Sequence, residues 1–302
     1  MGKKTTIALT VGAAGVAAWA ASKVVSKQVP REPKTALEFN ETVVLAAHGG
    51  SVETPENTMA AFSKSAETGV HGFAIDIRLT KDEEIIVFQD EMTDRTTDFS
   101  GKVADYTWEE LNRADAGYMF QDQDGAYAYR GKGEKILRLQ ELLAAFPHLL
   151  FVITIKDSPD TYEGSLMPSK LWRLLETTGD QDRVAVTSPF DEQTDRFNLY
   201  AQNKVAIGAG NDEQMKAYTS FTSQFGHLYK PNADLFCLSN KKGVFSLRTE
   251  AFIQFLKGLN IKVYYKGVND TERAAKLMSA GASGFITDNP SAMMKLVQSA
   301  EQ

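Results

Sequence analysis

Short β-branched runs alternate with amphipathic stretches from residue 43 almost to the end of the chain. The strand pattern falls at Val43–Ala47, Gly72–Ile77, Glu84–Phe88, Leu150–Ile155, Arg183–Thr187, Lys204–Ile207, Leu235–Leu238, Lys262–Tyr265 and Gly284–Ile286. Helical periodicity fills most of the gaps, at Thr58–Thr68, Leu139–Ala145, Pro168–Thr177, Glu192–Tyr200, Glu213–Thr222, Thr249–Leu259, Thr271–Ala280 and Ser291–Gln298. Strands alternating with helices build βαβ units and a parallel sheet. About eight such units in about 255 residues predict an α/β chain closed as a (β/α)8 TIM barrel, not an open doubly wound sheet. No Gly-x-Gly-x-x-Gly opens the first helix, so the main sign of a dinucleotide fold is missing. Residues 91–137 break the rhythm with a polar mix of Gly, Asp, Tyr and Gln and read as an insertion after an early strand. In such a barrel the residues that end strands are where chemistry belongs.

The first 27 residues follow a different pattern. Met1-Gly2-Lys3-Lys4 precedes an uncharged stretch, Thr5 to Ser22, and Lys23 and Lys27 follow it. A positive start before a span about long enough to cross hydrocarbon predicts a signal-anchor. Ala18-Trp19-Ala20 offers an Ala-x-Ala site, so a cleaved signal peptide is the alternative. Residues 28–41, rich in Pro, Lys and Glu, read as a linker to a barrel spanning 42–300. The barrel is then expected outside the cytoplasm, held at a membrane or, after cleavage, secreted.

Charge and cysteine content narrow the chemistry. A net charge of −6 and a pI near 5.4 argue against a nucleic-acid partner held by bulk electrostatics. The lone cysteine, Cys237, excludes an internal disulfide and a cysteine-based zinc cluster and reads as a small buried apolar side chain. The four histidines (His48, His71, His148 and His227) show no i, i+4 pair.

Seven short segments carry the functional signal. The first strand reads Leu45-Ala46-Ala47-His48-Gly49-Gly50-Ser51 and leads to Thr54-Pro55-Glu56-Asn57-Thr58. Then come Gly72-Phe73-Ala74-Ile75-Asp76-Ile77-Arg78-Leu79-Thr80-Lys81-Asp82, Ile86-Val87-Phe88-Gln89-Asp90 and Thr93-Asp94-Arg95-Thr96. Val268-Asn269-Asp270 and Gly284-Phe285-Ile286-Thr287-Asp288-Asn289-Pro290 stand near the end. This set, in this order, resembles the glycerophosphodiester phosphodiesterase family over essentially all of residues 43–297. The resemblance implies metal-assisted cleavage of a phosphodiester. The family ends its first strand in histidine–arginine, its second in Glu-x-Asp, its third in His-Asp and its fourth in Glu-x-Lys or Asp-x-Lys. It holds calcium or magnesium on three carboxylates, moves protons with the two histidines, and binds phosphate with the arginine and lysine. The chemistry needs all of these, because a phosphodiester repels nucleophiles until a hard cation offsets its charge and protons reach the leaving alkoxide.

Set against that pattern, this chain departs at the chemistry. Ala47-His48 stands where the histidine–arginine belongs, Ala74 where the first metal-binding glutamate belongs, and Gln89 where the second histidine belongs. Thr154 occupies the third carboxylate position, and Lys266-Gly267 precedes Val268 where the family commonly carries a tryptophan. Asp76, Lys156 and Asn57 are retained. The resemblance therefore implies a vestigial metal site at Asp76, with binding of calcium or magnesium weak or lost. It leaves Lys156, His48 and Asn57 as residues for a glycerophosphodiester-like or other phosphate-ester ligand. A one-residue shift along a strand reverses the face a side chain reaches, so His48 is not expected to replace the residue at 47. Simpler roles exist for the retained residues: Asp76 and Lys156 as an ion pair, and Asn57 as a helix cap after Pro55. The expectation is a family barrel that is catalytically impaired or inactive and keeps ligand binding. The alternative is an active metal-dependent phosphodiesterase, releasing glycerol-3-phosphate and an alcohol from a site rearranged around His48, Asp76, Asp90 and Glu56.

Overall fold

The β-branched runs form the wall of a barrel in the computed structural model, which describes residues 19, 21–23, 26, 28–239 and 249–300. The strands are β1 (Val43–Ala47), β2 (Gly72–Leu79), β3 (Ile85–Val87), β4 (Leu137–Arg138), β5 (Leu150–Ile155), β6 (Val184–Thr187), β7 (Ala206–Ile207), β8 (Leu235–Ser239), β9 (Lys262–Lys266) and β10 (Gly284–Thr287). The helices are α1 (Met59–Glu67), α2 (Trp108–Leu111), α3 (Leu139–Ala145), α4 (Tyr162–Thr178), α5 (Asp191–Ala201), α6 (Asn211–Thr222), α7 (Glu250–Gly258), α8 (Thr271–Ser279) and α9 (Pro290–Ala300). Eight parallel strands run in the order β7-β6-β5-β2-β1-β10-β9-β8. A parallel bridge between Gly208 and Leu235 brings β7 back to β8 and closes the ring. The expected (β/α)8 architecture is the one found.

The core has two principal layers. Between sheet and helices lie Phe62, Phe73, Phe151, Phe197, Phe236 and Phe252, all fully buried. Inside the ring the residues are smaller: Ala47, Val152, Ala185, Ala206 and Cys237, with Leu45 and Tyr264 below them. Small side chains at the strand ends leave room at the mouth.

Three features differ from the sequence reading. The third strand run is not a barrel stave: β3 pairs antiparallel with β2 and β4, and this ribbon bears the insertion. The insertion packs its own small core from Ile86, Phe88, Val103, Leu111 and Ile136. The helix expected to start at Pro168 begins at Tyr162, capped by Thr161 through the Gly164 N–H. Pro168 lacks the N–H that would bond the Gly164 carbonyl, and Gln193 Nε2 donates to that oxygen instead at 3.0 Å. The stretch read as a linker is partly core, because Ala36 and Leu37 plug the base of the barrel at 5% and 3% exposure. Arg31, in the same stretch, is bonded to Asp234 at 2.7 Å. Most of the N-terminal segment expected to be an anchor or signal peptide lies outside the described residues. Among those that are described, no helix is long and apolar enough to cross a membrane.

Candidate functional site

A cavity of about 360 Å³ opens at the C-terminal ends of the strands. Strand alternation selects what faces it: Ala74 and Asp76 from β2, Val152 and Thr154 from β5, and Lys156 just beyond. Asp76 and Thr154 are paired in register, as are Ala47 and Ala74. Lys156 Nζ stands 3.6 Å from Asp76 Oδ2, so the ion pair anticipated between them exists. Thr187, in register beside Thr154, and Ser188, Asn211 and Gln214 add neutral polar groups from the β6 and β7 ends, and none of them belongs to a motif. Their only sequence signal is position, at or shortly after the ends of β6 and β7.

His48 reaches the cavity beside Ala47, contrary to the alternation argument. The strand ends at Ala47, and His48, Gly49 and Gly50 follow with φ of 52°, 85° and 88°. Three left-handed residues in a row turn the chain back on itself, so period-two reasoning stops one residue earlier. A side chain at 49 would also collide with Ala61, because its Cβ would lie 2.8 Å from that residue's Cβ. The His48 N–H donates to Ala74 O at 2.9 Å, and its carbonyl accepts from Asn57 N at 2.8 Å. Its Nδ1 is buried without a hydrogen-bond partner among the described residues.

Asn57 lies elsewhere. It is buried at φ 58° in a narrow crevice with Val87, Phe88 and Arg95, outside the cavity lining. The helix cap expected of it is supplied by Thr58, whose hydroxyl accepts from Ala61 N. Arg95 binds Glu56 through two bonds of 2.8 and 2.6 Å, contacts Asp90, and donates to Gln89 Oε1 at 3.1 Å. The two carboxylates, Glu56 foremost and then Asp90, raise the guanidinium's pKa against the effect of burial. The rearranged site would need Glu56 and Asp90, and both are already engaged.

Cys237 is buried as anticipated, yet it also lines the cavity. Burial pushes its thiol pKa up, opposed by the charge of Lys266, which lines the same cavity. Among the described residues, Asp76 is the sole carboxylate in the lining, against the two ammonium groups of Lys156 and Lys266. No group of three or more His, Cys, Asp or Glu side chains among the described residues is placed to hold a metal ion.

The profile of the glycerophosphoryl diester phosphodiesterase family matches residues 48–292. The chain belongs to that family. A glycerophosphodiester phosphodiesterase from Caldanaerobacter subterraneus is 29% identical over 273 residues, covering 85% of this chain and 98% of its own length. Solved family structures share the fold. The phosphodiesterase domain of Rv2277c from Mycobacterium tuberculosis superposes with a TM-score of 0.74 at 18% identity, covering 85% of this chain and 99% of its own. A phosphodiesterase from Oleispira antarctica, solved with its product sn-glycerol-3-phosphate, gives 0.70 at 20% identity, covering 85% and 97%. The family generally uses a divalent cation. Within that frame, Ala47, Ala74, Gln89 and Thr154 all border one cavity. Asp288 and Asn269, from the motifs near the chain end, are bonded at 2.8 Å, while Asn289 accepts from Ala292 N and caps α9. The terminal motif thus braces the mouth.

Proposed function

We propose that this family barrel no longer hydrolyses phosphodiesters and instead binds a phosphate ester at its mouth. The observation that carries the reading is that Ala47, Ala74, Gln89 and Thr154 gather around one cavity. Hydrolysis requires a proton donor at the leaving oxygen and a base at the attacking one. Ala47 has neither, and the Gln89 amide donates hydrogen bonds without releasing a proton. A hard cation seeks several anionic oxygens. Asp76 offers one carboxylate, already facing Lys156 at 3.6 Å, and the Thr154 hydroxyl beside it is neutral. These residues do not fit calcium or magnesium. Lys156 and His48 remain to receive a phosphate oxygen. The product complex of the Oleispira enzyme supports a ligand of the glycerol phosphate kind.

A rearranged, active site has one observation in its favour, which is that His48 does reach the cavity. Against it, Arg95 holds both Glu56 and Asp90. Assay of the purified chain for glycerol-3-phosphate release with calcium or magnesium separates the readings. No turnover above background is expected. Metal-dependent turnover that disappears in Asp76→Ala would establish the active alternative. Histidine at 47 and 89, arginine at 48 and glutamate at 74 and 154 should together restore metal-dependent hydrolysis. The uncharged span Thr5 to Ser22 between lysines supports a further proposal, that the barrel is tethered outside the cytoplasm. Loss of membrane sedimentation on deleting 1–27 would be its sign, and unchanged sedimentation would refute it.

A further inference from the structure

The reading of the mouth as a phosphate-ester site leaves open what offsets the ligand's charge. In a metal-loaded site a divalent cation does so. Here the positive charge comes from β9. Tyr264 faces the barrel interior, and the alternation of the strand places Lys266, two residues on, toward the same face one layer higher. Lys266 is half-buried, lines the cavity, and is registered between Ser239 of β8 and Ile286 of β10. It shares the cavity lining with Cys237, whose thiol its charge favours in the ionised form against burial. It forms no ion pair with any described residue, whereas Lys156 is matched by Asp76. Among the described residues, one positive charge in the cavity is therefore unmatched.

We propose that Lys266 takes over the electrostatic role of the metal ion, making the mouth a metal-independent receptor selective for phosphomonoesters over phosphodiesters. The selectivity follows from charge. A phosphomonoester carries about −1.5 to −2 at neutral pH, a diester carries one negative charge, and Coulomb attraction to the two ammonium groups scales with that difference. The neutral donors Asn211, Ser188 and Thr187, which line the same cavity, suit oxygens that need hydrogen bonds and no further charge.

Calorimetry on the full chain tests this with sn-glycerol-3-phosphate, inorganic phosphate and glycerophosphoethanolamine, each in EDTA and in calcium. The monoester should bind in EDTA with an affinity that calcium changes by less than about twofold. The diester should bind at least about tenfold more weakly. Lys266→Gln should weaken monoester binding about tenfold or more, and Lys266→Arg should retain most of it. Thermal melts of the variants show whether they are folded, and Lys266→Met, expected to weaken monoester binding to the same extent, replaces the glutamine variant if that one is not. Binding that requires calcium, is indifferent to Lys266→Gln, or is as tight for the diester would overturn the role of Lys266 while phosphate-ester binding stands. No binding of either ester under any condition would overturn both.

Discussion

Two ion pairs join β2 to the end of β5, and they differ in closure. Arg78 and Asp157 meet at 2.6 Å, with side chains 12% and 10% exposed. Asp157 also accepts from Leu79 N at 3.3 Å, and Arg78 Nε donates to the Gln89 carbonyl at 3.1 Å. Asp76 and Lys156, on the inward face of the same strands, stand 3.6 Å apart, and the lysine is 29% exposed. The first pair has further hydrogen-bond partners and lies outside the cavity lining. The second is loose, faces the cavity, and leaves donors unspent. A charged pair near a barrel mouth can therefore be frame or receptor, and the hydrogen bonds around it tell which.

Breaking the closed pair should have the largest effect. Burial pushes the Asp157 carboxyl above its usual pKa despite the adjacent Arg78, so desolvation already outweighs attraction there. Asp157→Leu would strand the guanidinium, and chemical denaturation should show a loss of about 3–5 kcal/mol. Adding Arg78→Met should recover at least half of that, because a buried pair replaced as a unit costs little. A double variant no more stable than the single one would show that the hydrogen bonds to Leu79 and Gln89 carry the stability instead.

The open pair should respond in the opposite sense. Asp76→Asn releases Lys156 from its carboxylate, so glycerol-3-phosphate should bind about tenfold tighter, or ~1.4 kcal/mol. Stability should change by less than about 1 kcal/mol, as for a loose, partly hydrated pair. Weaker binding in this variant would mean that Asp76 contacts the ligand and is not its competitor.

The frame of this contrast was readable in the sequence to different depths. β1 and β5 end where the apolar runs end, because eight-strand closure leaves such runs no other use. The direction of β3 was not readable, since alternation encodes burial and not strand polarity. Pro168 misled for a local reason: proline marks helix starts, and only the distant Gln193 side chain makes its interior position tolerable. His48 misled because three left-handed residues end the strand period abruptly. Asp76 and Lys156 were legible as a pair, two side chains on one face of adjacent strands. Arg78 with Asp157 was not legible by that logic, because Arg78 shares the face of Asp76 whereas Asp157 lies one residue past Lys156, beyond the end of β5. Lys266 stood out in the sequence as a cation in place of a tryptophan; that it lines the cavity without an ion-pair partner among the described residues came from the structure.

A carboxylate among like charges supplies the lower limit of the comparison. Asp195 on α5 has its pKa raised by burial first, then by Asp191 and Glu213, while the opposing Lys216 is bonded to Glu213 at 3.2 Å. A raised folded-state pKa means the native chain holds this proton more tightly than the unfolded chain. The associated stability is present below the unfolded value of about 3.9 and is lost as pH rises through the folded pKa. At neutral pH the ionised carboxylate is therefore a net cost. Asp195→Asn should raise the melting temperature slightly at pH 7, and the gain should shrink toward zero below about pH 4. The same gain at both pH values would assign it to hydrogen bonding and not to charge. A loss at pH 7 would mean that Lys216 outweighs both acidic neighbours and burial, making Asp195 a third member of the paired class.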